Sequence, residues 1–165
     1  MGKKRKTSYK TFGKSRSLRL EGFDYSSPFV YFLTLCTLRG ENVFTNSKLA
    51  EEIIDCLKTC KNKLGYELYV YCLMPDHLHI LISPTDTGTS VSDFIKSFKS
   101  LTTRIYWRFS NIGKLWQRGF YDHIVRKEED LVEIAKYILN NPVRKRLVDV
   151  DQEYSYSGRV DDLPI

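Results

Sequence analysis

The spacing of apolar positions changes several times along the chain, and each change predicts an element. Residues 29 to 37, FVYFLTLCT, are rich in aromatic and β-branched side chains and read as a strand, entered from a Ser26-Ser27-Pro28 loop. From Ser47 to Leu64 the residues Leu49, Ile53, Cys56, Leu57, Cys60 and Leu64 recur on one helical face, and Gly65 supplies the stop. Tyr66 to Met74, YELYVYCLM, is a second strand. Pro75-Asp76 makes a short turn, and His77 to Ser83 returns as a third strand antiparallel to the second. After a PTDTGTS loop, Ser90 with Asp93 three residues on opens another helix in the manner of a capping box. Its apolar face is Phe94, Phe98, Leu101 and Ile105, with Lys96, Lys99, Arg104 and Arg108 elsewhere around it.

The segment GKLWQRGFYDHIVR, 113 to 126, reads as two short strands broken at Arg118-Gly119. A last helix is predicted over 128 to 141, EEDLVEIAKYILNN. Its acidic Glu128, Glu129 and Asp130 favour the N-terminus through the helix dipole, and Pro142 ends it. The order strand, helix, strand, strand, helix, strands, helix predicts an α+β chain with an antiparallel sheet and helices mainly on one face, close to the split βαβ plan. The chain divides into an arm (1–20), a domain (21–148) and a polar tail (149–165) expected as loop or loosely packed.

Bulk properties narrow this picture. The 165 residues suit one domain with a sizeable core, and 42% hydrophobic and 13% aromatic residues suit a globular protein. No apolar run approaches the roughly 20 residues of a membrane helix, and the basic N-terminus has no apolar core of a secretory signal, so a cytoplasmic protein without membrane contact is expected. Cys36, Cys56, Cys60 and Cys72 sit in apolar segments and read as small core residues. Cys56 and Cys60 share a helix face and would make half of a zinc site, but no CxxC accompanies them. The net charge of +6 is uneven: residues 1 to 20 hold eight Lys or Arg and no acid, while the remainder holds 18 basic and 20 acidic residues. A basic arm interleaved with Tyr9 and Phe12 fits contact with phosphates, and equally a solubilising tail.

Candidate chemistry starts from two histidines among only three in the chain. Residues two apart on a strand share a face, so His77 and His79 project together while Leu78, Ile80 and Ile82 point the other way. They form either a polar patch or half of a metal site. On the last helix, Leu131, Ile134 and Ile138 make the buried stripe, and Tyr137 and Asn141 stand one turn apart at its border. That pair is either a packed tyrosine and a helix cap, or a phenol and an amide oxygen aimed at one point. Two imidazoles and one oxygen ligand would leave open positions on a divalent ion, which can polarise a phosphoryl oxygen. A tyrosine one turn from the third ligand can then act as nucleophile.

Four stretches carry a resemblance: SRSLRLEGFDYSSPFVYFLTLCT, YCLMPDHLHILI, LWQRGFYDHIVR and IAKYILNNPVRKRLV. They resemble, in turn, the basic lead-in and opening strand, the His-hydrophobic-His motif, the segment before the catalytic helix, and the nucleophile helix with its Asn-Pro end in the single-tyrosine HUH transposases. Within that family the chain is most similar to the REP-associated tyrosine transposases. The match covers most of residues 15 to 148, and His-x-His joined in this order to Y-x-x-x-N-P is a specific combination.

The resemblance implies a ferredoxin-like, RRM-like sheet with the metal site on its face. It implies that His77, His79 and Asn141 bind Mg²⁺ or Mn²⁺, and that Tyr137 attacks the scissile phosphate to give a 5′-phosphotyrosine and a free 3′-hydroxyl. Mobile members often have Gln where Asn141 stands, and REP-associated members tend to have Asn. Asn140 lies about 100° further round the helix and is the poorer ligand. The implied partner is single-stranded DNA with hairpin repeats. Lys96, Lys99, Arg104, Arg118, Arg16 and Arg19 are candidates for the track that holds it, each otherwise a solvated surface charge. His123 is a ligand in place of Asn141, a phosphate contact, a group that orients a neighbour together with Asp122, or a structural hydrogen bond between its strand and the last helix. A homodimer is an option, since mobile members are dimers and REP-associated relatives can be monomeric.

Three rival classes remain at this point. A non-catalytic or repurposed RRM-like binder of single-stranded nucleic acid would use the same sheet without metal. A hydrolase with an activated water would survive loss of Tyr137 but not of the histidines. A replication or plasmid-relaxation nuclease shares the chemistry but usually has further domains.

Overall fold

The computed structural model describes residues 29–85, 89–126 and 129–165. The basic arm, with Arg16 and Arg19, and the Ser26-Ser27-Pro28 stretch lie outside them. Strands form where the alternation predicts them: β1 is Val30–Cys36, β2 Tyr66–Met74, β3 His77–Pro84 and β4 Tyr121–Val125. The helices α1, Ser47–Leu64, and α2, Val91–Arg108, separate them. The chain thus runs β1-α1-β2-β3-α2-β4 with spatial order β4-β1-β3-β2, all antiparallel, which is the ferredoxin-like plan.

Local signals account for the element ends. Asn46 caps α1 by accepting from the Leu49 amide at 3.1 Å, and Gly65, at φ 69°, takes the left-handed conformation that ends it. Ser90 accepts from the Asp93 amide at 3.1 Å to start α2. Both long helices lie on one sheet face, over Leu33, Leu35, Leu78, Ile80 and Ile82. Pairing of Leu33 with Ile80 and Leu35 with Leu78 aligns these apolar rows, and a slip of one residue would turn them all away from the helices. Among the described residues no helix is long and apolar enough to cross a membrane.

The other sheet face carries a second apolar layer of Phe32, Tyr69, Val70, Cys72, Met74 and Leu81. Helix α3, Leu131–Leu139, covers it with Ala135 and Ile138. Asp130 caps α3 by accepting from the Val132 amide at 2.8 Å.

Four expectations need correction. The segment 113–126 forms one strand, β4; its first half contributes only an isolated bridge between Thr37 and Trp116, because Leu115 and Trp116 turn into the core instead of alternating. Leu101 is 40% exposed, and Ile95 and Thr102 take the inner face of α2 alongside Phe94 and Phe98. Pro142 does not end the helical run. The chain passes through Asn140 into a short helix α4, Asn141–Arg144, whose first turn tolerates a residue without an amide hydrogen. Finally, the polar tail is partly ordered into the fold. Ser157–Arg159 forms β5 on the free edge of β2, and Tyr154 and Leu163 pack against the second layer. Backbone pairing holds this edge, which a composition of Ser, Gly and Arg does not announce.

Candidate active site

The site is built on the face of β3 that α3 approaches. Thr34 and Cys72 pair with His79 from either side, and Cys36 and Met74 pair with His77. The two-residue turn Pro75-Asp76 delivers His77 at the strand start, and the turn is pinned to the end of β1: the Thr37 amide and hydroxyl both donate to the Asp76 carbonyl, at 2.9 and 3.0 Å. His77 Nδ1 donates to the Asp76 carboxylate at 2.6 Å. His79 Nδ1 meets Thr34 Oγ1 at 2.8 Å. Their Nε2 atoms then face each other at 3.1 Å.

This donor set fits a divalent ion. Two nitrogens bound about 2.1 Å from one ion and at right angles across it stand about 3 Å apart. With a proton on each Nδ1, the two Nε2 atoms present lone pairs 3.1 Å apart, a spacing that suits two ligands of one ion. Burial drives His79 well below the usual histidine range, and the neighbouring His77, Arg144 and Lys145 act in the same direction. A neutral imidazole is the form that ligates metal. Among the described residues no group of three or more His, Cys, Asp or Glu could hold an ion. The third donor expected from the sequence, Asn141, is an amide and so stands outside that set. It is buried at the first turn of α4, on the same turn as Arg144 and one residue before Pro142.

Tyr137 joins the site through Phe32. The Phe32 ring neighbours both, with centroids 5.4 Å from His79 and 6.1 Å, edge-on, from Tyr137. The Arg144 guanidinium sits over the tyrosine ring, 4.5 Å from its centre. Two of the expected groups, the histidine pair and the tyrosine, therefore share one sheet face, and Arg144 of α4 acts on both.

The remaining candidates lie elsewhere. His123 is opposite Phe32 in the sheet, and its Nε2 meets Glu129 Oε2 at 2.6 Å, linking β4 to the approach to α3. Lys96, Lys99 and Arg104 are on α2, on the sheet face away from the histidines. Lys99 donates to the Gln117 carbonyl at 2.8 Å and to that of Gly119, while Lys96, Arg104 and Arg118 are exposed. Cys56 and Cys60 have their sulfurs 4.0 Å apart, and all four cysteines are free.

Four contributors were not read from the sequence: Thr34, Phe32, Asp76 and Arg144. A carboxylate immediately before a histidine is a signal that could have found Asp76, and Arg144, seven residues after Tyr137, stands two helical turns on. Thr34 and Phe32 depend on the register of β1 against β3, which no local pattern contains.

Residues 26–141 match the family model described as transposase, IS200-like. A Haemophilus influenzae protein provisionally named a REP-associated tyrosine transposase is 26% identical over 146 residues, covering 82% of each chain. The ISDra2 transposase TnpA of Deinococcus radiodurans is 26% identical over 125 residues, 72% of this chain and 87% of that one. Among solved structures, a REP-associated tyrosine transposase bound to a REP hairpin superposes with a TM-score of 0.61 at 18% identity, over 82% of this chain and 79% of that one. The match to the family model spans β1 to β4, the histidine pair and Tyr137, and the chain belongs to the IS200-like transposase family.

Proposed function

We propose that this transposase cleaves and rejoins single-stranded DNA at hairpin repeats through a 5′-phosphotyrosine intermediate, with Mg²⁺ or Mn²⁺ as cofactor. The observation that carries the reading is the convergence of two imidazole Nε2 atoms, 3.1 Å apart, on the sheet face that Tyr137 also occupies. In this reading His77, His79 and Asn141 hold the ion. A divalent ion so held supplies Lewis acidity to the phosphoryl oxygen and the leaving 3′-oxygen. The Tyr137 phenol oxygen attacks phosphorus, its proton passes to solvent, and the bond from phosphorus to the 3′-oxygen breaks. That oxygen takes up a proton, and the 5′-phosphate stays on the tyrosine. Rejoining is the reverse displacement by a 3′-hydroxyl. The hairpin preference is carried over from the REP-associated neighbour, whose structure holds a REP hairpin.

Asp76 has a specific task here: its carboxylate orients His77 and raises the basicity of the ligating nitrogen. Asp76→Asn is expected to weaken Mn²⁺ binding by about 10–100-fold, measured by calorimetry on the DNA-free protein, with the fold unchanged. Wild-type affinity in that variant would leave Asp76 as a turn residue only.

Arg144 has a second task. A guanidinium over the nucleophile's ring restrains the tyrosine and offers paired N–H donors to a phosphate oxygen that approaches it. Arg144→Lys keeps the charge and loses the planar fork, so it is expected to slow covalent adduct formation about tenfold, with Arg144→Ala slower still. Adduct formation at the wild-type rate in both variants would remove Arg144 from the site.

A further inference from the structure

A second surface, remote from the histidine pair, has the composition of a nucleic-acid subsite. Between α2 and residues 113–119 lies an open groove of about 760 Å³. Arg104, Trp107, Lys114 and Arg118 line it, with Lys99 at its floor, and no acidic residue is among those lining it. Arg104, Lys114 and Arg118 are exposed, and none of them is in an ion pair among the described residues. The groove is thus a concentration of uncompensated positive charge on a chain whose residues after the arm carry slightly more acid than base.

Trp107 is the second observation. It is 52% exposed, yet its indole N–H donates to the Gly113 carbonyl at 2.8 Å. One edge of the ring is held by the loop while much of its surface stays open. An exposed large ring costs burial that a core position would recover, and a ring already fixed in place loses little entropy when a flat partner stacks on it. The loop is itself built rigidly. Trp116 is buried with its indole N–H on Thr102 Oγ1 at 2.8 Å, and the Lys99 ammonium is occupied by the Gln117 and Gly119 carbonyls. Lys99, pushed down to about 8 mainly by burial, is therefore a strut under the loop and not a phosphate contact.

The groove also connects to the site already described. The Gln117 amide donates to the Cys36 carbonyl at 2.8 Å, Trp116 bridges to Thr37, and Cys36 pairs with His77 across the sheet. One strand end thus lies between the groove and the histidine pair.

We infer that this groove is a second DNA subsite, which takes an unpaired nucleotide of the substrate strand with its base on Trp107 and neighbouring phosphates on Arg104, Lys114 and Arg118. The inference rests on the single-stranded DNA reading above and extends it to a surface that does no chemistry. Stacking needs an open base face, so the ligand is single-stranded and not duplex.

The test uses the full chain in metal-free buffer, with anisotropy of a short fluorescein-labelled oligothymidylate as readout and circular dichroism to verify folding. Trp107→Ala is expected to weaken binding about tenfold, and Trp107→Phe, which keeps a smaller stacking face, by less. The combined variant Arg104→Ala, Lys114→Ala and Arg118→Ala is expected to reduce the salt slope of log K by about 2, for three phosphate contacts on a single strand. Unchanged affinity and salt slope in the folded groove variants would overturn the inference, as would a duplex that competes as well as the single strand. Covalent adduct formation measured on the same variants separates the two readings. Groove variants that lose binding while no adduct ever forms uphold the groove and remove strand cleavage; adduct formation with unimpaired binding in those variants removes the groove alone.

Discussion

Replacing His79 with alanine is expected to lower metal-dependent strand cleavage by about a thousandfold or more, because Lewis-acid stabilisation of the reacting phosphate is worth several kcal/mol. His79 is 6% exposed, so the substitution also opens a small cavity beside Phe32 and removes the imidazole partner of Thr34. A loss of roughly 1–3 kcal/mol in stability would accompany it. His77→Ala separates the two effects. The His77 side chain is 15% exposed and bonds through Nδ1 to a solvent-accessible carboxylate, so its removal is expected to disturb packing less while removing a ligand of the same proposed ion. Thermal unfolding with and without Mn²⁺ supplies the check. A ligand at 100 times its dissociation constant adds about 2.7 kcal/mol to wild type, and both variants should lose that increment. If Mn²⁺ raised the melting temperature of both variants as much as that of wild type, the ion would be bound elsewhere.

Tyr137→Phe is the second large effect. Cleavage is expected to fall by at least about 10⁴-fold, the scale on which removal of a nucleophile acts. The ring keeps its place against Phe32 and under Arg144, so stability should change little and DNA binding should persist. This combination of intact fold, intact binding and absent chemistry also discriminates among the rivals. A hydrolase that activates water would retain cleavage in this variant. A non-catalytic binder would show none in wild type. Steady-state binding to a labelled hairpin and single-turnover cleavage, measured on one preparation, decide between them.

The architecture was largely legible because its first half obeys simple periods. The helix from Ser47 to Leu64 and the strand from Tyr66 to Met74 have the bounds that apolar spacing and Gly65 imply. His77 and His79 could be assigned to one face for the same reason, since alternation on β3 leaves no choice once Leu78 and Ile80 are inside. What escaped depends on partners distant in sequence. Helix α3 has an apolar stripe of ordinary kind, and nothing within it states that it covers the sheet face opposite α1 and α2. β5 is held by backbone pairing to Tyr71 and Cys72, not by side-chain alternation, so a polar Ser-Gly-Arg reads as loop. The residues around the histidines show the same division. Asp76 is adjacent in sequence to what it orients, whereas Thr34 reaches His79 across 45 residues through strand register alone. Arg144 was obscured by Pro142, since a helix expected to stop there cannot be expected to carry a guanidinium back over Tyr137.

The central claim, a phosphotyrosine link at Tyr137 beside a metal held by His77 and His79, has a direct test in the polarity of the covalent product. Single-stranded hairpins from the flanks of the gene, labelled at either the 5′ or the 3′ end, are incubated with the protein and Mn²⁺ and resolved under denaturing conditions. The predicted result is a metal-dependent protein–DNA band that carries the 3′ label only. The 5′-labelled fragment should be released with a free 3′-hydroxyl, and Tyr137→Phe should give neither product. Cleavage that leaves both fragments free of protein, or that persists in Tyr137→Phe, would contradict the account and assign the attack to water or to another residue.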